Sequence, residues 1–239
     1  MIELNNVTKY YGNQGLGLYK ASVKINSGEI VGILGENGSG KTTMLKTIMG
    51  LGELKEGEVL IEGKAPAQMY DKMAFISEEG SYFPNMTPYE YGIFLSDFIS
   101  SFDINRYNKL LKFFDIEPYK KIKTFSRGQK AKLEVSAGFS KGAKYILMDE
   151  PFLGKDMFTR QDFLKLMVSS LREDETILIS THFIRDIENL IDRAIILRYG
   201  RIIADFYIDD MRNMGKTLPS IMMEISGYKD DNYKDVLIE

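Results

Sequence analysis

Residues 35–42 read Gly-Glu-Asn-Gly-Ser-Gly-Lys-Thr, and no other stretch limits the possible folds so tightly. The spacing G-x-x-x-x-G-K-[ST] belongs to a loop whose backbone N–H groups wrap a polyphosphate. Gly35, Gly38 and Gly40 lack a Cβ, so the backbone turns sharply and approaches phosphate oxygens closely. Lys41 reaches the β and γ phosphates as a point charge, and the Thr42 hydroxyl can ligate Mg²⁺. Such a loop needs a strand before it and a helix after it. Glu29 to Leu34 is an apolar run of strand type. Thr43 to Met49, with apolar Leu45, Ile48 and Met49 and then Gly50, suits a helix ending at a glycine. The N-terminus of that helix adds partial positive charge beneath the phosphates.

Further strand-like runs lie at Ile2 to Val7, Ala21 to Ile25, Val59 to Ile61, Met73 to Ser77, Tyr145 to Met148, Thr176 to Ser180, Ala194 to Leu197 and Ile202 to Phe206. Helical periodicity follows several of them, which predicts an α/β sheet with parallel pairs. The first 25 residues and the stretch 57–63 read as antiparallel strands instead. From about 82 to 140 there is no strand signal. Pro88 suits a first helical position, and Tyr91, Phe94, Leu95 and Phe98 follow at helical spacing. A second helical stretch runs from Ile104 to Phe114. Ten Phe and Tyr residues crowd between Tyr82 and Phe114. Most serve to fill a thin helical core, and others are available for an apolar groove that takes a partner helix.

Composition removes several function classes. The net charge of −3 offers no basic field to nucleic acid. The chain has no cysteine and one histidine, so thiolate and imidazole metal clusters are excluded and any metal sits on oxygen, as Mg²⁺ does. No run is apolar enough to span a membrane, and Met1 to Leu4 shows no signal pattern, so a soluble, cytoplasmic chain is expected.

A second constellation lies downstream. Tyr145 to Met148 leads into Asp149 and Glu150 at a strand end. Asp149 can hold Mg²⁺ while Glu150 polarises a water aimed at the γ-phosphate. Ser126 is a natural N-cap for a helix over Lys130 to Ala137, and Gly128 keeps the helix start open to an anion. His182 follows the strand Thr176 to Ser180, at the sheet edge where α/β ligands bind.

With these segments in this order, the chain resembles the ATP-binding subunit of an ATP-binding cassette (ABC) transporter of bacterial exporter type. Gly35, Glu36, Asn37, Gly38, Ser39, Gly40, Lys41, Thr42 and Thr43 match the family's phosphate loop, the Walker A motif. Tyr11 matches the aromatic that stacks on adenine. Ser126, Gly128 and Gln129 match the signature Leu-Ser-Gly-Gly-Gln. Tyr145 to Glu150 matches the second nucleotide motif with its catalytic glutamate, Asp156 the D-loop aspartate, and His182 the switch histidine.

The resemblance implies a P-loop NTPase fold with a mixed, mostly parallel sheet, an antiparallel β part on the N-terminal side and an inserted helical subdomain. Residues 1–226 would form one nucleotide-binding domain, with a RecA-like core at 1–81 and 141–208, a helical subdomain at about 82–140 and a polar tail at 227–239. ATP and Mg²⁺ are the implied cofactors, with Mg²⁺ on Thr42, Asp149 and Glu78, and Glu150, His182 and Glu78 in catalytic roles. The implied assembly is a head-to-tail dimer, homomeric or heteromeric, in which Ser126 and Gly128 of one chain cover ATP on the other. Hydrolysis would drive a separate membrane permease, with the chain held on the cytoplasmic face. The segment Lys216 to Glu224 resembles the tail of exporter-type cassettes, which points to export.

The chain departs from the family at several positions. Glu78 stands where glutamine is usual, with Glu79 as a one-residue alternative. A carboxylate can ligate Mg²⁺ as an amide oxygen does, yet it repels the γ-phosphate unless metal lies between them. Phe125 and Arg127 replace leucine and glycine in the signature, and Leu153 and Lys155 alter the D-loop. Arg127 can face a phosphate or solvent. These changes keep open a regulatory cassette that holds ATP but hydrolyses it weakly. A non-transport cassette is the other class, set against the negative net charge and the lack of heptads between the nucleotide motifs.

Overall fold

Among the described residues, nine strands form two sheets. The computed structural model describes residues 1–10, 15–77, 80–151 and 174–226. Tyr11, Glu78, Glu79, Leu153, Lys155, Asp156 and the tail 227–239 lie outside the described residues.

The smaller sheet is antiparallel, with β1 (Ile2–Tyr10) between β2 (Leu16–Ile25) and β4 (Glu56–Ile61). Ile2 is its pivot, facing Ile25 on one side and Ile61 on the other. The larger sheet has the order β5-β6-β7-β3-β8-β9. Its strands are β3 (Ile30–Leu34), β5 (Met73–Ile76), β6 (Tyr145–Asp149), β7 (Thr176–Thr181), β8 (Arg193–Arg198) and β9 (Arg201–Tyr207). All pair in parallel except β9, which runs antiparallel to β8. Every strand overlaps one of the runs expected from sequence; β3 and β5 fall one residue short of theirs and the others extend them by one to five residues.

Alternation divides the large sheet between two cores. Val31, Ile33, Leu147 and Leu178 face the small sheet, together with Met44, Leu45 and Ile48 of α1 (Lys41–Ile48). Leu34, Ile146, Met148, Ile177 and Ile179 face the other way, toward the helices. Both faces are covered, which is why the parallel strands are apolar along their whole length.

Three helices fill the region without strands. Thr87 caps α2 (Pro88–Phe98) in a capping box with Glu90, and Asp103 caps α3 (Ile104–Phe113). Helix α4 (Arg127–Ser140) begins at Ser126, capped reciprocally by Gln129. Tyr91, Tyr107 and Phe139 are buried among these helices, as the crowding of rings predicts. The Tyr107 hydroxyl donates to the Pro88 carbonyl at 2.8 Å, and burial pushes that phenol up. Other rings stay outside: Phe98 is 75 % exposed.

Beyond β7 come α5 (Ile184–Ile187), α6 (Ile208–Asn213) and α7 (Leu218–Ser226). The sequence reading did not anticipate α6 or α7. Leu218 is fully buried, its N–H donates to Glu188 at 2.9 Å, and Arg198 donates to the Ile225 carbonyl, so α7 is tied to the core at both ends. Among the described residues, no helix is long and apolar enough to cross a membrane.

Candidate active site

The order of the large sheet decides which loops meet. Strand β7 lies between β3 and β6, with Leu34 opposite Thr181 and Asp149 opposite Ser180. The three carboxyl ends therefore deliver Gly35, Glu150 and His182 to one edge, where open α/β sheets bind ligands.

The glycine loop leaves β3 at Gly35. A side chain there would collide with the Leu197 carbonyl and Ser39, and at Gly40, with φ of 111°, it would strike the Gly17 carbonyl. Only a chain without Cβ passes through this space. Helix α1 then starts at Lys41, and Gly40 supplies no side-chain cap, so the first N–H groups of α1 face the loop.

The Lys41 ammonium is buried and donates to the Gly35 carbonyl at 2.9 Å and the Glu36 carbonyl at 3.2 Å. It also lies 3.4 Å from Glu150 Oε1. Nδ1 of His182 sits 3.1 Å from both oxygens of the same carboxylate. Glu150 is thus held between a cation and an imidazole, on a backbone with φ of 46°. That left-handed conformation is uncommon for a residue with a Cβ. It is secured because the Glu150 N–H donates to the Ser180 carbonyl at 3.0 Å and to Ser180 Oγ at 3.1 Å.

Next to it, Thr42 Oγ1 donates to Asp149 Oδ1 at 2.9 Å, and Ser180 Oγ donates to the same oxygen at 2.6 Å. A hydroxyl and a carboxylate side by side are hard oxygen donors. They suit a Mg²⁺ ion that keeps several waters and shares its shell with phosphate oxygens. The buried Ser39 hydroxyl has no hydrogen-bond partner. Over these residues lies an open cleft of about 710 Å³, lined by Leu16, Asn37, Gly38, Lys41, Thr43 and Glu150 among others. The glycine cradle, the buried cation and the paired oxygen donors together fit a magnesium-bound polyphosphate.

Ser126, Gly128 and Gln129 are not brought to this cleft. They lie at the start of α4. The Gln129 N–H donates to Ser126 Oγ at 3.2 Å, and the Ser126 N–H donates to Gln129 Oε1 at 3.0 Å. At Gly128 a Cβ would meet only Ser126 Oγ, at 3.9 Å, so this helix start is open for an approaching group. Arg127 is exposed and lines a gap that also borders Ser77 and Glu150.

Ser180 is the residue that sequence reasoning missed. It bonds both catalytic-candidate carboxylates' segments at once. Its signal was a hydroxyl directly after the apolar run Ile177 to Ile179, and in the fold it is fully buried, where a polar group must have partners.

Fold and site define a phosphate-loop nucleotide-binding domain. Comparison with known proteins makes the assignment narrower. Residues 18–153 match the ABC transporter family profile. The ABC transporter ATP-binding protein YtrB of Bacillus subtilis is 33 % identical over 217 residues, covering 89 % of this chain and 74 % of that protein. The SkfA peptide export ATP-binding protein SkfE of the same organism is 25 % identical over 246 residues, covering 97 % of this chain and 99 % of that one. Among solved structures, the ATP-binding cassette MJ0796, as a post-hydrolysis dimer bound to ADP and Pi, superposes with a TM-score of 0.77 at 25 % identity, covering 87 % of this chain and 99 % of that one. The chain belongs to the ABC transporter family, as an ATP-binding cassette.

Proposed function

We propose that this chain hydrolyses ATP as one half of a head-to-tail dimer and drives a separate membrane permease. The observation that carries the reading is the meeting of Lys41 and His182 on the single carboxylate of Glu150, beside the Thr42 and Asp149 pair. The loop N–H groups and Lys41 bind the phosphates. Phosphate oxygens compete with Glu150 for the Lys41 ammonium, so substrate binding frees the base. Thr42 and Asp149 hold Mg²⁺, which when bound neutralises charge on the β and γ oxygens. Glu150 takes a proton from the attacking water. The water oxygen bonds to the γ-phosphorus as the bond to the β,γ-bridging oxygen breaks and ADP leaves. His182 orients Glu150 and contacts the γ-phosphate. Tyr11, Glu78 and Asp156 belong to this reading by their family positions alone.

Ser126, Gly128 and Gln129 act on the nucleotide of the other chain. Their absence from the lining of their own cleft and the dimeric assembly of MJ0796 support this. Docking of a permease helix is supported by the linked rings of Phe83, Phe94 and Phe98, with centroids 5.0 and 4.6 Å apart and two of the rings exposed. A place on the cytoplasmic face follows from that docking. Export is the direction we favour, supported by the Lys216 to Glu224 segment and by the peptide-export name of SkfE.

The test is Glu150→Gln. Turnover should fall by about 10²- to 10⁴-fold, the usual contribution of a general base, while ATP binding persists and an ATP-bound dimer accumulates in size analysis. Wild-type turnover in this variant removes Glu150 as the base.

A further inference from the structure

Glu134 is a buried carboxylate on α4, 4 % exposed, between Leu133 and Val135. Both of its oxygens are taken by one residue of another segment. The Ser81 N–H donates to Oε1 at 2.8 Å and the Ser81 hydroxyl donates to Oε2 at 3.1 Å.

Ser81 lies in the turn that follows β5. Gly80, with φ of 72°, is so close to the folded-back ring of Tyr82 that no Cβ fits there. One helical turn before Glu134, Lys130 places its ammonium 5.9 Å from the centroid of that same Tyr82 ring. Positions four apart share a helix face, so Lys130 and Glu134 grip the turn from one side of α4. Further along, Gly138 lets α4 sit directly on Ile76 of β5, where a Cβ would collide. The exit of β5 is therefore fastened to α4 at successive turns. At the other end of α4 stand Ser126 and Arg127, and Arg127 borders the same gap as Ser77 and Glu150.

Filling this space with carbon would cost less desolvation than a carboxylate does. It would also leave the Ser81 N–H without a partner. Burial pushes the Glu134 carboxyl up, opposed by the two Ser81 donors, the Lys141 ammonium and the Tyr82 N–H. The neighbouring Tyr91 hydroxyl, 3.4 Å from Ser81 Oγ, is pushed up to about 12 by the same burial. What the carboxylate supplies in return is a fixed register between helix and turn.

We propose that Glu134 is a positioning residue for ATP hydrolysis, which through Ser81 locks the exit of β5 to α4 and so sets the spacing between the signature end of α4 and Glu150. The proposal rests on the ATPase reading above.

The experiment uses the purified full chain with Glu134→Ala, Glu134→Gln, Ser81→Ala and the Glu134→Ala/Ser81→Ala double variant. Thermal unfolding, equilibrium binding of Mg-ATP, kcat and KM are measured for each. The expected result is a fall in kcat of about ten-fold for Glu134→Ala at unchanged nucleotide affinity. Gln, which keeps an acceptor for the Ser81 N–H, should restore most of the rate. The double variant should be no slower than Glu134→Ala, because both substitutions cut one link. A role confined to stability would lower the unfolding temperature and leave kcat per nucleotide-binding chain unmoved, which overturns the proposal. Additive losses overturn it too. If Glu134→Ala does not fold, Glu134→Met, which fills the same space without an acceptor for Ser81, decides instead, and an unchanged kcat there overturns the proposal. A wild type without turnover overturns this and the ATPase reading together. An active wild type with unaffected variants overturns this one only.

Discussion

The sheet edge and the start of α4 treat their polar side chains in opposite ways. At the edge, Lys41, Thr42, Asp149, Glu150, Ser180 and His182 come from separate stretches of chain and bond to one another. In the helical region, Ser126 and Gln129 bond each other's backbone within a single helix start. The first arrangement is assembled by the fold. The second is finished locally, and Ser126 and Gln129 are not among the residues that line their own chain's cleft. On the proposed reading, one copy supplies the base and metal donors and a second copy the lid, so chemistry and control fall in different regions.

The strongest way to break this contrast is to disable one region in each of two chains. Lys41→Ala should weaken ATP binding about 100-fold, because it removes the buried charge facing the phosphates. Ser126→Arg should leave ATP binding intact but abolish turnover by obstructing the helix start. Mixed together, the two inactive chains should recover part of the wild-type turnover, since one composite site in the mixed dimer is whole. No recovery on mixing would place the signature in its own chain's site, and the contrast between the regions would fail.

A smaller effect tests whether the helical region is held by its own caps. Thr87→Ala removes the side-chain half of the α2 capping box and should cost about 1 kcal/mol. Amide exchange should quicken within 88–98 and leave β3, β6 and β7 unchanged. Uniform loss of protection would show that the two regions unfold as one unit.

The smallest effect belongs to the sheet side. Glu62 accepts from Lys144 at 2.5 Å and from the Tyr145 hydroxyl at 3.1 Å, and these donors, led by Lys144, lower its carboxyl from 4.5 to about 2. A depressed carboxyl contributes stability above its unfolded value and loses it as pH falls through the folded one. The difference in unfolding temperature between wild type and Glu62→Gln should be steady near pH 7, shrink below about 4.5 and vanish near 2. Both partners are partly exposed, so at neutral pH it corresponds to about 1 kcal/mol or less. A gap that widens in acid would mean that Glu62 is not the group that titrates.

What the sequence showed, and what it hid, follows the range of each interaction. The parallel strands were legible because they are buried on both faces and read as unbroken apolar runs. The start of β2 was not, since Lys20, with φ of 47°, and the shifted register between β1 and β2 interrupt the alternation before Ala21. Thr87, Asp103 and Ser126 cap their helices through neighbours three residues away, so caps are local information. Glu134 looked like one more charge on a polar helix, and its partner Ser81 lies 53 residues earlier. Ser180 reaches Asp149 across 31 residues. Helices α6 and α7 were missed because one is short and the other owes its place to Leu218 and to bonds from Glu188 and Arg198. The motif residues of the phosphate loop were legible in full. The two-sided hold on Glu150 was not, because it depends on the order in which strands are laid side by side.

The lone imidazole has a practical consequence. The chain contains one histidine, and that ring touches the carboxylate proposed to do the chemistry. Isotope labelling of histidine would therefore give a spectrum with a single residue in it, reporting from the reaction centre without any change to the protein. Because the chain also contains no cysteine and no tryptophan, a dye or an indole placed anywhere else would be equally unambiguous. Among residue types that occur once, histidine is the reporter that the sequence already places at the proposed site.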